Sequence, residues 1–191
     1  MQEARQRLES DPLVQHYIQV LKKLIAYKSI FAQETGLTET AHYLKGIFQA
    51  AGAQVILDTS YRAPFLVAKF MSKKADAKSL IFYNHYDVQP ADEDQIWTTE
   101  PFDLDIRDGF MYGRGVDDDK GHITARLTAI QKYLEHQAEL PVNILFIIEG
   151  AEESASVDLE KYLAKYQDKM RGADLLVWEQ GIFNKVKGAI K

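Results

Sequence analysis

The chain has 191 residues, 46% hydrophobic and 27% charged, with 28 acidic against 23 basic side chains and a net charge of -5. That length and balance fit one ordinary globular domain with a sizeable core, and the negative charge argues against a general nucleic-acid binder. The absence of cysteine excludes disulfides, a thiolate nucleophile and a cysteine-held metal, so any metal must be bound by His, Asp and Glu.

The opening MQEARQRLESDP is polar and lacks an apolar segment of the secretory kind. No apolar run approaches the roughly 20 residues of a membrane span. The expectation is a cytoplasmic protein without membrane contact. Residues 12–28 read as a helix, with Ser10 and Asp11 as candidate caps, Pro12 in the first turn and a stripe of Leu13, Tyr17, Val20, Leu21, Leu24 and Ile25. A second helix is predicted over 38–51, stopped by Gly52. Strands are predicted at 54–58 and 65–70. The apolar run 79–84 (SLIFYN) suits a strand buried on both faces. Residues 85–101 read as a long loop, a length that in a compact domain is usually functional or disordered. Asp92, Glu93, Asp94, Asp103 and Asp105 are taken as solvated charge. Asp108-Gly109 signals a hairpin. A helix follows over 120–136, a core strand over 142–148 (VNILFII), a helix over 158–167 and a core strand over 174–178 (DLLVW). Strands alternating with helices predict an α/β fold, a three-layer αβα sandwich with a mixed, mostly parallel sheet.

Three core strands end in acidic or His-bearing loops: SLIFYN in His85-Tyr86-Asp87, VNILFII in Glu149-Gly150-Ala151-Glu152-Glu153, and DLLVW in Glu179. In open α/β sheets the site lies beyond such carboxyl ends. A fourth cluster, Asp117-Asp118-Asp119, precedes a helix. Imidazole and carboxylate suit zinc, and a carboxylate can reach both ions of a pair roughly 3.5–4 Å apart. Each cluster also has a plain alternative. The three aspartates could be a solvated turn or a helix N-terminal charge cluster, and Glu152-Glu153 could be no more than the start of a helix. His16, His42, His122 and His136, in or beside helices, are read as structural or solvated. His85 differs because it directly follows a core strand, with Asp87 placed to accept from its second ring nitrogen.

The stretches NHYDVQPADEDQIWTTEPF, DGFMYGRGVDDDKG and EGAEESAS resemble the zinc-dependent aminoacylase/carboxypeptidase/dipeptidase family. The resemblance runs from about Leu13 to Glu179, and VQPA with the Trp97 loop looks like the dipeptidase branch. It implies metal-dependent hydrolysis of the peptide bond of a dipeptide or small peptide. Two zinc ions are implied, with manganese or cobalt as alternatives. By position, His85 resembles a ligand of the first metal and Asp87 its partner behind the ring. Asp118 resembles the bridging carboxylate, Glu152 the general base, Glu153 a ligand of the second metal and Glu179 a further ligand of the first. A cis peptide between Asp118 and Asp119 is also implied. In the implied mechanism a water between the metals loses a proton to Glu152, which passes it to the leaving amine.

Family members are longer. They carry an inserted lid domain that also dimerises, and a return segment that supplies a last His to the second metal. Residues 1–180 therefore read as the N-terminal portion of a catalytic domain and 181–191 as an unassigned tail, with the lid absent. A homodimer is expected only where the lid is present. Three readings follow: a fragment of a hydrolase, an inactive protein completed by a partner, or a minimal active enzyme.

Overall fold

The computed structural model describes residues 10–91, 96–178, 183–184 and 189–190. Asp92, Glu93, Asp94, Glu179 and most of the 181–191 tail lie outside the described residues. Helix α1 (Pro12–Ala26) begins as its sequence suggests, with Asp11 accepting the Leu13 amide at 2.7 Å and Pro12 in the first turn. Helix α2 (Leu37–Ala50) is followed by strands β1 (Gln54–Asp58), β2 (Phe65–Phe70) and β3 (Ser79–His85). The hairpin β4 (Asp105–Arg107) and β5 (Phe110–Tyr112) turns at Asp108-Gly109, both with positive φ. Helix α3 (Lys120–His136), β6 (Asn143–Glu149), α4 (Leu159–Met170), β7 (Leu175–Val177) and the short pair β8 (Phe183–Asn184) and β9 (Ala189–Ile190) complete the order.

The main sheet runs β1-β2-β6-β3-β7. β6, β3 and β7 are parallel, joined by crossovers through α3 and α4, whereas β2 is antiparallel to both β1 and β6. One sheet face packs Leu66, Ala68, Ile144, Phe146 and Ile148 against Leu44 and Phe48 of α2 and Ile123, Leu127 and Ile130 of α3. The other packs Phe65, Val67, Ile81, Tyr83, Leu145 and Ile147 against Tyr162 and its neighbours on α4. Burial on both faces explains why the strand sequences are continuous apolar runs rather than alternating ones. The result is the expected αβα sandwich. Towards β7 the covering thins: Leu175, Leu176 and Trp178 are 59%, 47% and 54% exposed. No helix among the described residues is long and apolar enough to cross a membrane.

Asp58, at the end of β1, ties the sheet to α4. One carboxylate oxygen takes the Ser60 amide and hydroxyl, and the other takes Lys165 Nζ at 2.5 Å and the Tyr166 hydroxyl at 2.7 Å. Burial alone would raise this carboxyl, but the Lys165, Ser60 and Tyr166 donors outweigh it and hold it well below the usual carboxylate range. The group therefore ionises more readily in the folded chain, and its stabilisation is complete above the unfolded carboxylate pKa of about 4 and fades as pH falls further. Asp58→Asn is expected to lower stability at pH 7 by about 1–2 kcal/mol. Urea titrations at a series of pH values should show the two proteins converging below about pH 4.

Candidate active site

β3 and β6 each run one residue further than their apolar stretches, so that His85 pairs with Glu149 at the carboxyl end of the sheet. Both residues are buried. Beyond β3 the chain is fixed by backbone and hydroxyl contacts: the Tyr86 amide donates to the Glu149 carbonyl at 2.9 Å, Ser29 Oγ to the Tyr86 carbonyl at 2.6 Å, and the Val88 amide to the Ser29 carbonyl at 2.9 Å. The buried Tyr86 ring lies so close to Gly150 that a Cβ there would overlap it. Gly150 is thus a requirement of packing, and it lets the chain enter the short 3₁₀ turn Glu152–Ser154.

His85 is gripped on both ring nitrogens. Nδ1 lies 3.1 Å from the Asp87 carbonyl and 3.3 Å from Asp87 Oδ1. Nε2 lies 2.8 Å from Asp118 Oδ1 and 3.9 Å from Glu152 Oε2. Burial by itself would lower the imidazole pKa, but Asp118, Asp87 and Asp119 outweigh it and push it up to about 11. Asp87, wholly buried, also accepts the Glu152 amide on Oδ1 at 3.1 Å and the Glu153 amide on Oδ2 at 3.0 Å. Glu153 turns its carboxylate to Gln89 Nε2, at 2.7 Å. Burial pushes that carboxyl up, with Gln89 pulling back.

The structure thus brings His85, Asp87, Asp118 and Glu152 together and places Glu153 beside them, held by Gln89. Among the described residues no three His, Asp or Glu side chains are grouped closely enough to hold a metal ion, and Glu179 lies outside them. The donor chemistry nevertheless fits a divalent cation. A buried imidazole nitrogen faces a half-exposed carboxylate, and a buried acid fixes the other side of the ring, the arrangement usual for zinc-bound histidine.

Several supporting residues carry no obvious sequence signal. Asp119 is fully buried and accepts from Asn84 Nδ2 at 2.6 Å, from the His85 amide at 3.1 Å and from His122 at 2.7 Å. His122, expected to be structural, therefore braces the loop that carries Asp118. The Asp118–Asp119 peptide is cis, as the resemblance implies. Lys120 is fully buried, and its ammonium donates to the Leu24 and Tyr27 carbonyls at the end of α1, at 3.1 and 2.6 Å. Burial pulls its pKa down to about 7, with Asp87 opposing. Arg126 joins the ends of β3 and β7, donating to the Tyr83 and Trp178 carbonyls at 2.8 and 2.6 Å and to Asn84 Oδ1 at 2.7 Å. A lysine after three aspartates, at a helix start, is the one hint that Lys120 might have offered.

Residues 81–189, more than half of the chain, match the model of peptidase family M20/M25/M40. The chain belongs to this family. Among M20-type relatives, Beta-Ala-His dipeptidase of Rattus norvegicus is 38% identical over 66% of this chain and 26% of its own length. The Cys-Gly metallodipeptidase DUG1 of Candida albicans is 32% identical over 78% of this chain and 34% of its own length. An M20 family metallo-carboxypeptidase from Sulfolobus solfataricus superposes with a TM-score of 0.81 and 36% identity, covering 90% of this chain and 38% of that structure. Human carnosine dipeptidase 1 gives 0.78 and 32%, over 87% and 39%. The chain spans about a third or less of the two curated relatives.

Two glycines test the packing in opposite directions. Gly150→Ala forces its Cβ into the Tyr86 ring and is expected to destabilise by about 1–3 kcal/mol. Gly46, inside α2, faces open space, so Gly46→Ala is expected to stabilise by about 0.5–1 kcal/mol. Urea midpoints of the two variants check both signs.

Proposed function

We propose that this chain carries the water-activating half of a metal-dependent peptidase site that cleaves dipeptides or small peptides. The observation that carries the reading is the Glu152 carboxylate 3.9 Å from a His85 nitrogen that also touches Asp118 at 2.8 Å. These groups come from two adjacent parallel strands and from the loop before α3, which suits a site assembled at the carboxyl end of the sheet. His85 and Asp118 are the first donors for a divalent ion, zinc by preference, with Glu153 and Glu179 as further donors. A cation held there supplies a Lewis acid that polarises a peptide carbonyl and acidifies water.

The chain's own residues do the rest. Asp87 holds His85 in one orientation and, through the amides of Glu152 and Glu153, sets the turn in place. Glu152 takes the proton of the attacking water on its carboxylate and returns it to the departing amine nitrogen. The dipeptidase names of the relatives support small peptides as the substrate class. In this reading residues 1–180 form the N-terminal portion of the catalytic domain, and a lid with a late His ligand lies outside the 191 residues. A homodimer then depends on that lid.

A second reading, a segment without turnover of its own, is favoured by one observation: the chain spans only 26% and 34% of the two curated dipeptidases. Calorimetric titration of the purified 191-residue chain with zinc should show uptake that His85→Ala abolishes and Glu152→Gln retains. Loss of uptake in neither variant, or no uptake at all, defeats the metal reading. Dipeptide hydrolysis by the same chain is expected to stay at the level of its Glu152→Gln control, whereas a general base in a complete site contributes about 10²–10⁴-fold. A wild-type rate clearly above that control shows that the 191 residues suffice.

A further inference from the structure

The turn bearing Glu152 and Glu153 is held from two sides, and the reading above uses only one of them. Asp87 takes its amides at the front. At the back stands Glu149, the last residue of β6, buried at 3% exposure. Its Oε1 accepts the Tyr83 hydroxyl at 2.5 Å and the Ser156 hydroxyl at 2.8 Å. Tyr83 sits on β3 two residues before His85, and the Trp178 ring stacks on it at 4.0 Å between centroids. Ser156 closes the turn, its amide donating to the Ala151 carbonyl at 2.8 Å, and both Ala155 and Ser156 have positive φ. One carboxyl therefore links the strand that carries His85 to the far end of the turn that carries Glu152.

A buried acid is an expensive way to fill this space. The same sheet face is otherwise lined by Ile81, Leu145 and Ile147, and an apolar side chain would avoid the cost of desolvating a carboxyl. What an apolar filler cannot do is fix direction. Hydrogen bonds to two hydroxyls on different elements set the angle of the turn against β3, because both must be met at once.

We propose that Glu149 is a positioning residue: through Tyr83 and Ser156 it fixes where the Glu152–Ser154 turn stands relative to His85, and so aims Glu152, and with it the further donor Glu153, at the metal-binding pair. The proposal rests on the reading of His85, Asp118 and Glu152 as that centre. Its logic is that of hydrogen-bonded groups behind metal ligands, whose loss weakens metal binding without removing a donor.

The test uses Co²⁺ as the probe, added to the whole 191-residue chain and followed by visible ligand-field absorption. Glu149→Met and Ser156→Ala are expected to bind Co²⁺ about 10-fold more weakly, with a changed absorption band. Glu149→Gln, whose carbonyl oxygen accepts both hydroxyls, should restore affinity and band to near the wild-type values. In the metal-free chain, amide hydrogen exchange at Glu152 and Glu153 should speed up in Glu149→Met and Ser156→Ala, and not in Glu149→Gln. Ser156→Ala removes a single hydroxyl and keeps the buried acid, so it reports even if Glu149→Met fails to fold. Wild-type affinity, band and exchange in Ser156→Ala overturn the proposal, as does a Glu149→Gln variant as impaired as Glu149→Met. A wild-type chain that takes up no Co²⁺, or a His85→Ala variant that binds as well as wild type, sinks the functional reading and this proposal with it. Normal wild-type uptake with unmoved variants sinks only the positioning claim.

Discussion

The arrangement depends on one carboxylate that water cannot reach. Asp87 has no exposed surface, so each of its oxygens must find a donor within the protein. It finds the His85 ring at the end of β3, two residues back, and the Glu152 and Glu153 amides on a turn 65 and 66 residues further along. A buried acid of this kind is satisfied only when both loops are in place. That condition converts two strand ends into one site, and the cost of leaving the acid unpaired, several times the worth of an ordinary hydrogen bond, enforces it.

The sheet gives Asp87 its setting. Because β3 and β6 are parallel neighbours, their carboxyl ends emerge side by side, and the residues that follow them are forced into proximity whatever their chemistry. The crossover through α3 begins at Lys120, so the aspartate loop that precedes it approaches the same end of the sheet. Three pieces of chain far apart in sequence thus meet without a dedicated domain to hold them. Membership of the M20/M25/M40 family places this geometry among peptidases. The chemistry proposed for each side chain joins what the resemblance implies to the contacts the site shows.

Most of the architecture was legible because it is written in local patterns. SLIFYN and VNILFII suited strands buried on both faces, and helix α1 declared itself through Asp11, Pro12 and its apolar stripe. His85 stood out because it directly follows such a strand with Asp87 two residues on, and the structure brings those two side chains together. The less legible residues share a physical trait: their partners are remote. Glu149 read as the first residue of an acidic loop, and it is instead the buried last residue of β6, satisfied by Tyr83 and Ser156. Asp119 was one of three equal aspartates until Asn84, the His85 amide and His122 were seen to surround it. Periodicity reports which face is buried, and it is silent on which buried polar atom is met by which distant donor.

Lys120 has a consequence for the order in which the molecule can assemble. Its ammonium caps carbonyls 96 and 93 residues earlier in the chain, so the last turn of α1 is completed by a side chain from the start of α3. Closing so long a loop is entropically uphill until the intervening sheet exists to hold its ends together. Helix α1, which precedes the β3–α3 crossover in the chain, therefore has its end sealed only once that crossover is in place. The acidic loop lies directly before Lys120, so its junction with α3 shares that anchor. Completion of that junction is thereby tied to the closure of the scaffold around a buried lysine.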